Sequence, residues 1–154
     1  MRALPPPLAD WFAAQGWELH PHQMAMLDRA GAAATLLIAP TGGGKTLAGF
    51  LPSLCEISDN PVPGLHTLYI SPLKALAVDI ERNLARPVAE MALPIAIETR
   101  TGDTPTHKRQ RQKLAPPDIL LTTPEQLALL LASSDARRSF EDLRYVVLDE
   151  LHSL

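Results

Sequence analysis

The sequence predicts an α/β domain built on a mostly parallel sheet flanked by helices. Three observations carry that prediction. Five apolar segments (35–39, 65–71, 94–99, 118–122 and 144–149) lack the polar alternation of a strand with one wet face. They read as strands buried on both faces. Helical segments separate them, as right-handed crossovers in a parallel sheet require. A glycine-rich turn, APTGGGKT at 39–46, stands between the first strand and the helix after it.

Residues 8–14 and 21–30 read as helices, the second with Pro21 in its first turn, where a missing N–H costs nothing. TLLIA (35–39) is the first buried strand, and a helix runs from 45 to about 57. SDNPVPG (58–64) is a loop, LHTLYIS (65–71) a strand, and 73–91 a helix entered through Pro72. PIAIET (94–99) is a strand, and a polar helix covers roughly 105–114. DILLT (118–122), a helix at 124–132 and the strand RYVVLD (144–149) complete the series. In such sheets ligands bind at the carboxyl ends of the strands, where each unusual group of residues falls.

Composition limits the function. The chain has 154 residues, 46% hydrophobic and 20% charged, which suits one globular domain with a real core. Its net charge of −3 gives no sign of a general polyanion binder, so any such site is local. Cys55 is the single cysteine, which excludes a disulfide framework and a cysteine metal cluster and fits a reducing compartment. The opening MRALPPPLADWF has no apolar signal region, and no apolar run approaches the ~18 residues of a membrane span. The expectation is a soluble cytoplasmic protein with no membrane partner. The chain stops just after a buried strand, so a fragment of a longer protein is expected.

The glycine turn has the context of a phosphate cradle, strand before and helix after. Thr41, Gly42, Gly43 and Gly44 let the backbone turn tightly and aim N–H groups inward at a helix N-terminus. Lys45 then reaches the β- and γ-phosphates, and the Thr46 hydroxyl ligates Mg²⁺. Ala39 stands where the strict pattern has glycine. A merely structural link is the alternative, but a Lys-Thr pair at a helix start has no packing reason to exist. VVLDELH (146–152) places Asp149 and Glu150 just past a strand. Asp149 is the natural Mg²⁺ partner through water, and Glu150 orients or deprotonates an attacking water. Alone, this is an acidic turn like many others. Together with the upstream cradle it is a nucleotide-hydrolysis site.

TTPE (122–125) reads locally as an ordinary helix cap, with Thr123 as N-cap and Pro124 at N1. The same helix start also offers N–H groups and a hydroxyl to a phosphate backbone. RTGDTPTHKRQRQK (100–113) holds five of the fourteen Lys and Arg residues, and its helical part has almost no apolar face. It is either a solvated helix or a contact for phosphate or a partner domain. Trp11, Phe12 and Trp17 read as core aromatics, with stacking on a base as the alternative. His20 and His22 read as cap or surface residues, and no zinc set accompanies them.

These motifs resemble superfamily 2 helicases. DELH (149–152) matches their DExH box and APTGGGKT their first motif, while SPLKALAVD (71–79), TGD (101–103) and TTPEQL (122–127) look like their nucleic-acid-facing motifs. The wording is closest to the Lhr-like (large helicase-related) branch, and within it to the ligase-associated DEXH-box DNA helicases of bacteria. The resemblance implies a RecA-like P-loop NTPase domain: a helical segment at 1–31 followed by the first helicase lobe at 32–154, incomplete at its C-terminus. It implies that Gln23, 22 residues before Lys45, reads adenine as a Q-motif glutamine does, so the cofactors are ATP and Mg²⁺. His152 then couples the nucleotide site to the strand side. Pro72, Lys74, Thr101, Gly102, Thr123 and Pro124 lie along the nucleic-acid track.

The implied activity is that of an ATP-dependent DNA helicase or translocase in DNA repair, cytoplasmic and nucleoid-associated. Its implied partners are single-stranded or partly duplex DNA, a second RecA-like lobe of the same parent chain, and a DNA ligase repair system. Arginine fingers come from that second lobe, so this lobe alone is expected to hydrolyse poorly. The rival readings are an RNA-directed helicase, a non-catalytic nucleotide-binding module and an unrelated P-loop kinase. The Asp-Glu pair argues against a binding-only module. TGD and TTPE at strand ends argue against the kinase.

Overall fold

The structure is a computed structural model, and it describes residues 3–40 and 44–154. The chain divides into two compact units, Met1–Pro61 with Pro87–Pro94, and Val62–Arg86 with Ile95–Leu154.

The first unit is helical. Helix α1 (Pro6–Gln15) starts on proline and ends at Gly16, whose left-handed φ of 67° lets its N–H fold back on the Ala13 carbonyl. Leu8, Trp11 and Phe12 are buried, and Trp11 Nε1 donates to Glu90 at 2.7 Å. Trp11 also packs edge-on against Phe12 and Trp17 at 5.3 and 5.5 Å. Trp11 and Phe12 are thus the core aromatics expected, while Trp17 stays 56% exposed. Helix α2 (Pro21–Asp28) is followed by α3 (Lys45–Asp59), whose Ala48, Phe50, Leu51, Leu54 and Cys55 are fully buried.

The second unit holds a parallel sheet in the order β2-β3-β1-β4, formed by β1 (Thr67–Ile70), β2 (Ile97–Arg100), β3 (Ile119–Thr122) and β4 (Tyr145–Leu148). Every pairing is parallel, with Thr67 opposite both Ile119 and Tyr145, and Ile97 opposite Ile119. The central strands β1 and β3 are buried throughout, as their unbroken apolar runs require. The crossovers are α4 (Lys74–Glu90), α5 (Thr106–Leu114), and α6 (Pro124–Ala132) with the short α7 (Ala136–Ser139). On one face Leu65, Leu68, Ile70 and Leu120 form a core closed by Leu127, Leu130, Phe140 and Leu143.

The sheet has four strands where five are expected. Residues 35–39 form no strand, and Leu36 and Ile38 are 71% and 87% exposed. An apolar run becomes a strand only where a neighbour takes its backbone hydrogen bonds, and among the described residues none does.

Candidate functional site

Gly44 is the N-cap of α3, with a left-handed φ of 71°. That conformation is strained for any residue with a Cβ, and a Cβ here would stand 2.6 Å from Gln23 Nε2. The close approach is itself a hydrogen bond: Gln23 Nε2 donates to the Gly44 carbonyl at 3.2 Å. The other end of the same amide, Oε1, accepts the His20 N–H at 2.9 Å. Gln23, only 3% exposed, therefore joins the start of α2 to the start of α3. Lys45 and Thr46 open α3, Lys45 half-buried and Thr46 exposed. No acidic side chain lies in the first turn of α3, so the positive end of the helix dipole is left for an external anion. Thr41, Gly42 and Gly43 lie outside the described residues. His20 and His22 stack in parallel, 5.4 Å apart.

In the second unit the carboxyl end of β4 carries Asp149. Its N–H donates to the Ile70 carbonyl of β1 at 3.1 Å, which continues the ladder one step past the strand. Asp149 Oδ2 accepts the Tyr69 hydroxyl at 2.6 Å, and Oδ1 accepts the Glu150 N–H at 2.9 Å. Glu150 reaches that geometry with φ 49° and ψ 50°, a left-handed conformation uncommon for a side-chain-bearing residue and often found at functional turns. Its carboxylate lies 3.2 Å from His152 Nε2. Tyr69 is 1% exposed, and its phenol is pushed well above the usual range, first by burial and then by the Asp149 carboxylate. It therefore stays a protonated donor.

A cleft of about 430 Å³ opens at the carboxyl end of β2, lined by Lys74, Thr99, Thr101, Asp103, Thr104 and Lys108 among others. Lys74 pairs with Asp103 at 2.9 Å, both side chains well exposed. Pro72 and Lys74 follow the Ser71 turn, in which the Ser71 hydroxyl donates to the Leu73 carbonyl at 3.0 Å. Thr123 is the N-cap of α6 with Pro124 next, but its hydroxyl makes no capping bond. That hydroxyl is not spent within the helix start.

A model of the DEAD/DEAH box helicase family matches residues 20–154. The chain belongs to the DEAD/DEAH box helicases. It is similar to the Lhr helicase/probable uracil glycosylase of Mycolicibacterium smegmatis, 48% identical over 133 residues that take in 78% of this chain and 9% of that protein. The structure of Mycobacterium smegmatis helicase Lhr bound to ssDNA and AMP-PNP matches at a TM-score of 0.86 and 39% identity, covering 98% of this chain and 21% of that one. The DUF1998 helicase MrfA bound to DNA and AMPPNP matches at 0.87 and 32%, covering 99% and 22%. The chain thus spans 9% to 22% of the length of these relatives. The parallel sheet with its helical crossovers is the RecA-like helicase fold.

Taken separately, each unit carries groups of the kind a magnesium nucleotide takes. The α3 start has an uncompensated dipole and a glycine whose Cβ would be obstructed. Asp149 has one hydrogen bond on each oxygen and keeps lone pairs for a hydrated cation. Among the described residues no three His, Cys, Asp or Glu side chains group to hold an ion. Asp149, a single carboxylate with lone pairs to spare, suits a cation that keeps most of its ligands as water or nucleotide oxygens, the usual style for Mg²⁺. Two residues escape a reading of sequence alone. Tyr69 looks like one more apolar strand residue, and Arg109 like one more cation on a polar helix. Their partners lie 80 and 5–8 residues away and become visible only in the fold.

Proposed function

We propose that this chain is the ATP-binding lobe of an ATP-dependent DNA helicase or translocase acting in DNA repair in the cytoplasm. The observation that carries the reading is the turn at the end of β4, where Tyr69 and the Glu150 N–H aim the Asp149 carboxylate. In this proposal Lys45 and Thr46, with Thr41, Gly42, Gly43 and Gly44, hold the ATP phosphates. Thr46 and Asp149 serve Mg²⁺, which when bound offsets the charge of the transferring phosphoryl group. Glu150 orients water for attack, and His152, paired with Glu150, couples that turn to the strand side. Gln23 serves adenine selectivity from its buried seat against Gly44.

Single-stranded DNA runs past Pro72, Lys74, Thr101, Gly102, Thr123 and Pro124. Contacts of this kind go to sugar and phosphate and read little sequence. The relatives solved with DNA support the choice of DNA over RNA. A second RecA-like lobe of the parent chain supplies the cationic partner for hydrolysis, and a DNA ligase repair system is the proposed setting.

The test is ATP turnover by the full-length protein with single-stranded DNA or RNA as activator. Lys45→Ala is expected to abolish turnover while the domain still folds, and Glu150→Gln to keep ATP binding but block hydrolysis. Undiminished turnover in Lys45→Ala removes the phosphate-cradle assignment. Loss of binding in Glu150→Gln removes the role given to Glu150. Stimulation by RNA alone moves the protein to the RNA-directed class.

A further inference from the structure

The basic helix α5 is not a patch of free cations. Arg111 pairs with Glu98, and Lys113 lies 3.9 Å from Asp135. Arg109 turns back toward the TGD turn that precedes the helix. Its Nε donates to the Thr104 carbonyl at 2.9 Å, and its Nη2 donates to the carbonyls of Thr101 and Gly102 at 2.8 and 3.2 Å. One planar guanidinium thus gathers three carbonyl oxygens of a four-residue turn, a task its fixed fork suits and a lysine ammonium does not.

The rest of the turn's bonding shows what is left over. The Thr101 N–H donates to Thr104 Oγ1 at 2.9 Å, and the Asp103 N–H to Thr101 Oγ1 at 3.2 Å. The Thr104 N–H donates to the Thr101 carbonyl at 3.2 Å. Among the described residues the Gly102 N–H has no acceptor, Gly102 is exposed, and a Cβ on it would meet nothing within 4 Å. The Thr101 hydroxyl, already an acceptor, still has its proton to donate. With the carbonyls drawn to Arg109 and the Asp103 carboxylate held by Lys74, the turn is left with the Gly102 N–H and the Thr101 hydroxyl beside Lys108 of the cleft. A second guanidinium, Arg100, is 9% exposed with its Nε unpartnered, and burial and the neighbouring Arg109 both lower its pKa. Arg109 and the adjacent Arg100 add positive charge near the turn, which favours an anion there.

We propose that Arg109 is a positioning residue for strand binding: it holds the 101–104 turn so that the Gly102 N–H and the Thr101 hydroxyl meet a nucleic-acid phosphate, without touching phosphate itself. This rests on the proposed role of Thr101 and Gly102 in the nucleic-acid track. It gives α5 a purpose that neither a solvated helix nor a direct phosphate patch describes.

The experiment measures binding of a fluorescently labelled oligothymidylate to the full-length protein at several salt concentrations, beside thermal melting and the KM for ATP without DNA. Arg109→Ala is expected to weaken binding about tenfold, the scale of lost charge-assisted hydrogen bonds. The slope of affinity against salt and the DNA-free KM should stay put, while the melting temperature falls by a few degrees at most. Arg109→Lys keeps the charge and should not restore binding. Arg111→Ala removes the same charge from the same helix and should bind within about twofold of the parent, as other surface substitutions do.

A salt slope lower by about 0.7 in Arg109→Ala makes Arg109 a direct phosphate ligand and overturns the proposal. Equal losses in Arg109→Ala and Arg111→Ala, or full rescue by lysine, overturn it too, because charge alone then suffices. Should Arg109→Ala fail to fold, Arg109→Lys carries the test by itself, with weakened binding expected and parental binding overturning it. Thr101→Ala separates the two levels. If Thr101→Ala weakens binding and Arg109→Ala does not, this inference falls alone. If neither weakens it, the reading of the turn as part of the track falls as well.

Discussion

Asp149 arrives at the end of β4 with each carboxylate oxygen already holding one hydrogen bond, from Tyr69 and from the Glu150 N–H. An aspartate on a turn otherwise samples several rotamers, and fixing one in advance removes that entropy cost from cation binding. Tyr69→Phe removes one oxygen and leaves the buried ring in place. The half-saturating Mg²⁺ concentration for nucleotide binding should rise about fivefold, the equivalent of one net hydrogen bond. A Mg²⁺ titration of fluorescent-nucleotide binding in the full-length protein reads this directly. An unchanged midpoint would mean that the Glu150 N–H suffices to aim the carboxylate. The acidic pair was legible in the sequence because DELH follows an apolar run. Tyr69 was not, because its hydroxyl matters only once β1 and β4 are neighbours in register, Tyr69 opposite Val147.

Glycines distinguish two kinds of element start. At the head of α3, alanine in place of Gly44 meets both a left-handed φ and Gln23 Nε2 at 2.6 Å. The conformation alone costs about 1–2 kcal/mol, so Gly44→Ala should lower the melting temperature by roughly 3–6 °C and weaken nucleotide binding. Gly102 has open space, and Gly102→Ala should melt with the parent, as calorimetry would show. The elements themselves were largely legible. The segments read as strands at 65–71, 94–99, 118–122 and 144–149 contain or overlap β1 to β4. Buried parallel strands have unbroken apolar runs, and prolines mark the helix entries. Residues 35–39 show the limit. Periodicity reports that a segment is apolar, but a strand also needs a neighbour, and TLLIA has none among the described residues. The four-residue α7 was missed because one turn holds too few positions to show a period.

The molecule as a whole leaves apolar groups without cover. Leu36 and Ile38 are exposed in the first unit, and Val146 and Leu148 are 52% and 51% exposed on the edge strand β4 in the second. Edge strands with apolar side chains ordinarily pair or are shielded, and among the described residues β4 is paired only on its β1 side. The described residues supply one lysine and a hydroxyl at the head of α3, a helix terminus and carboxylates after β4. Near the TGD turn Arg109 holds carbonyls and Lys74 pairs with Asp103. Phosphoryl transfer without an arginine finger at the transition-state charge forfeits about 10³–10⁵ in rate. This 154-residue chain should therefore show negligible ATP turnover with or without single-stranded DNA, as slow as its Lys45→Ala variant in the same assay. Adding the chain that would carry the proposed second lobe should give DNA-stimulated turnover with the parent sequence and not with the variant. DNA-stimulated turnover by the 154 residues alone, lost in Lys45→Ala, would place the missing cation within this chain or on a second copy of it. The exposed edge of β4 would then be the first surface to search for that copy.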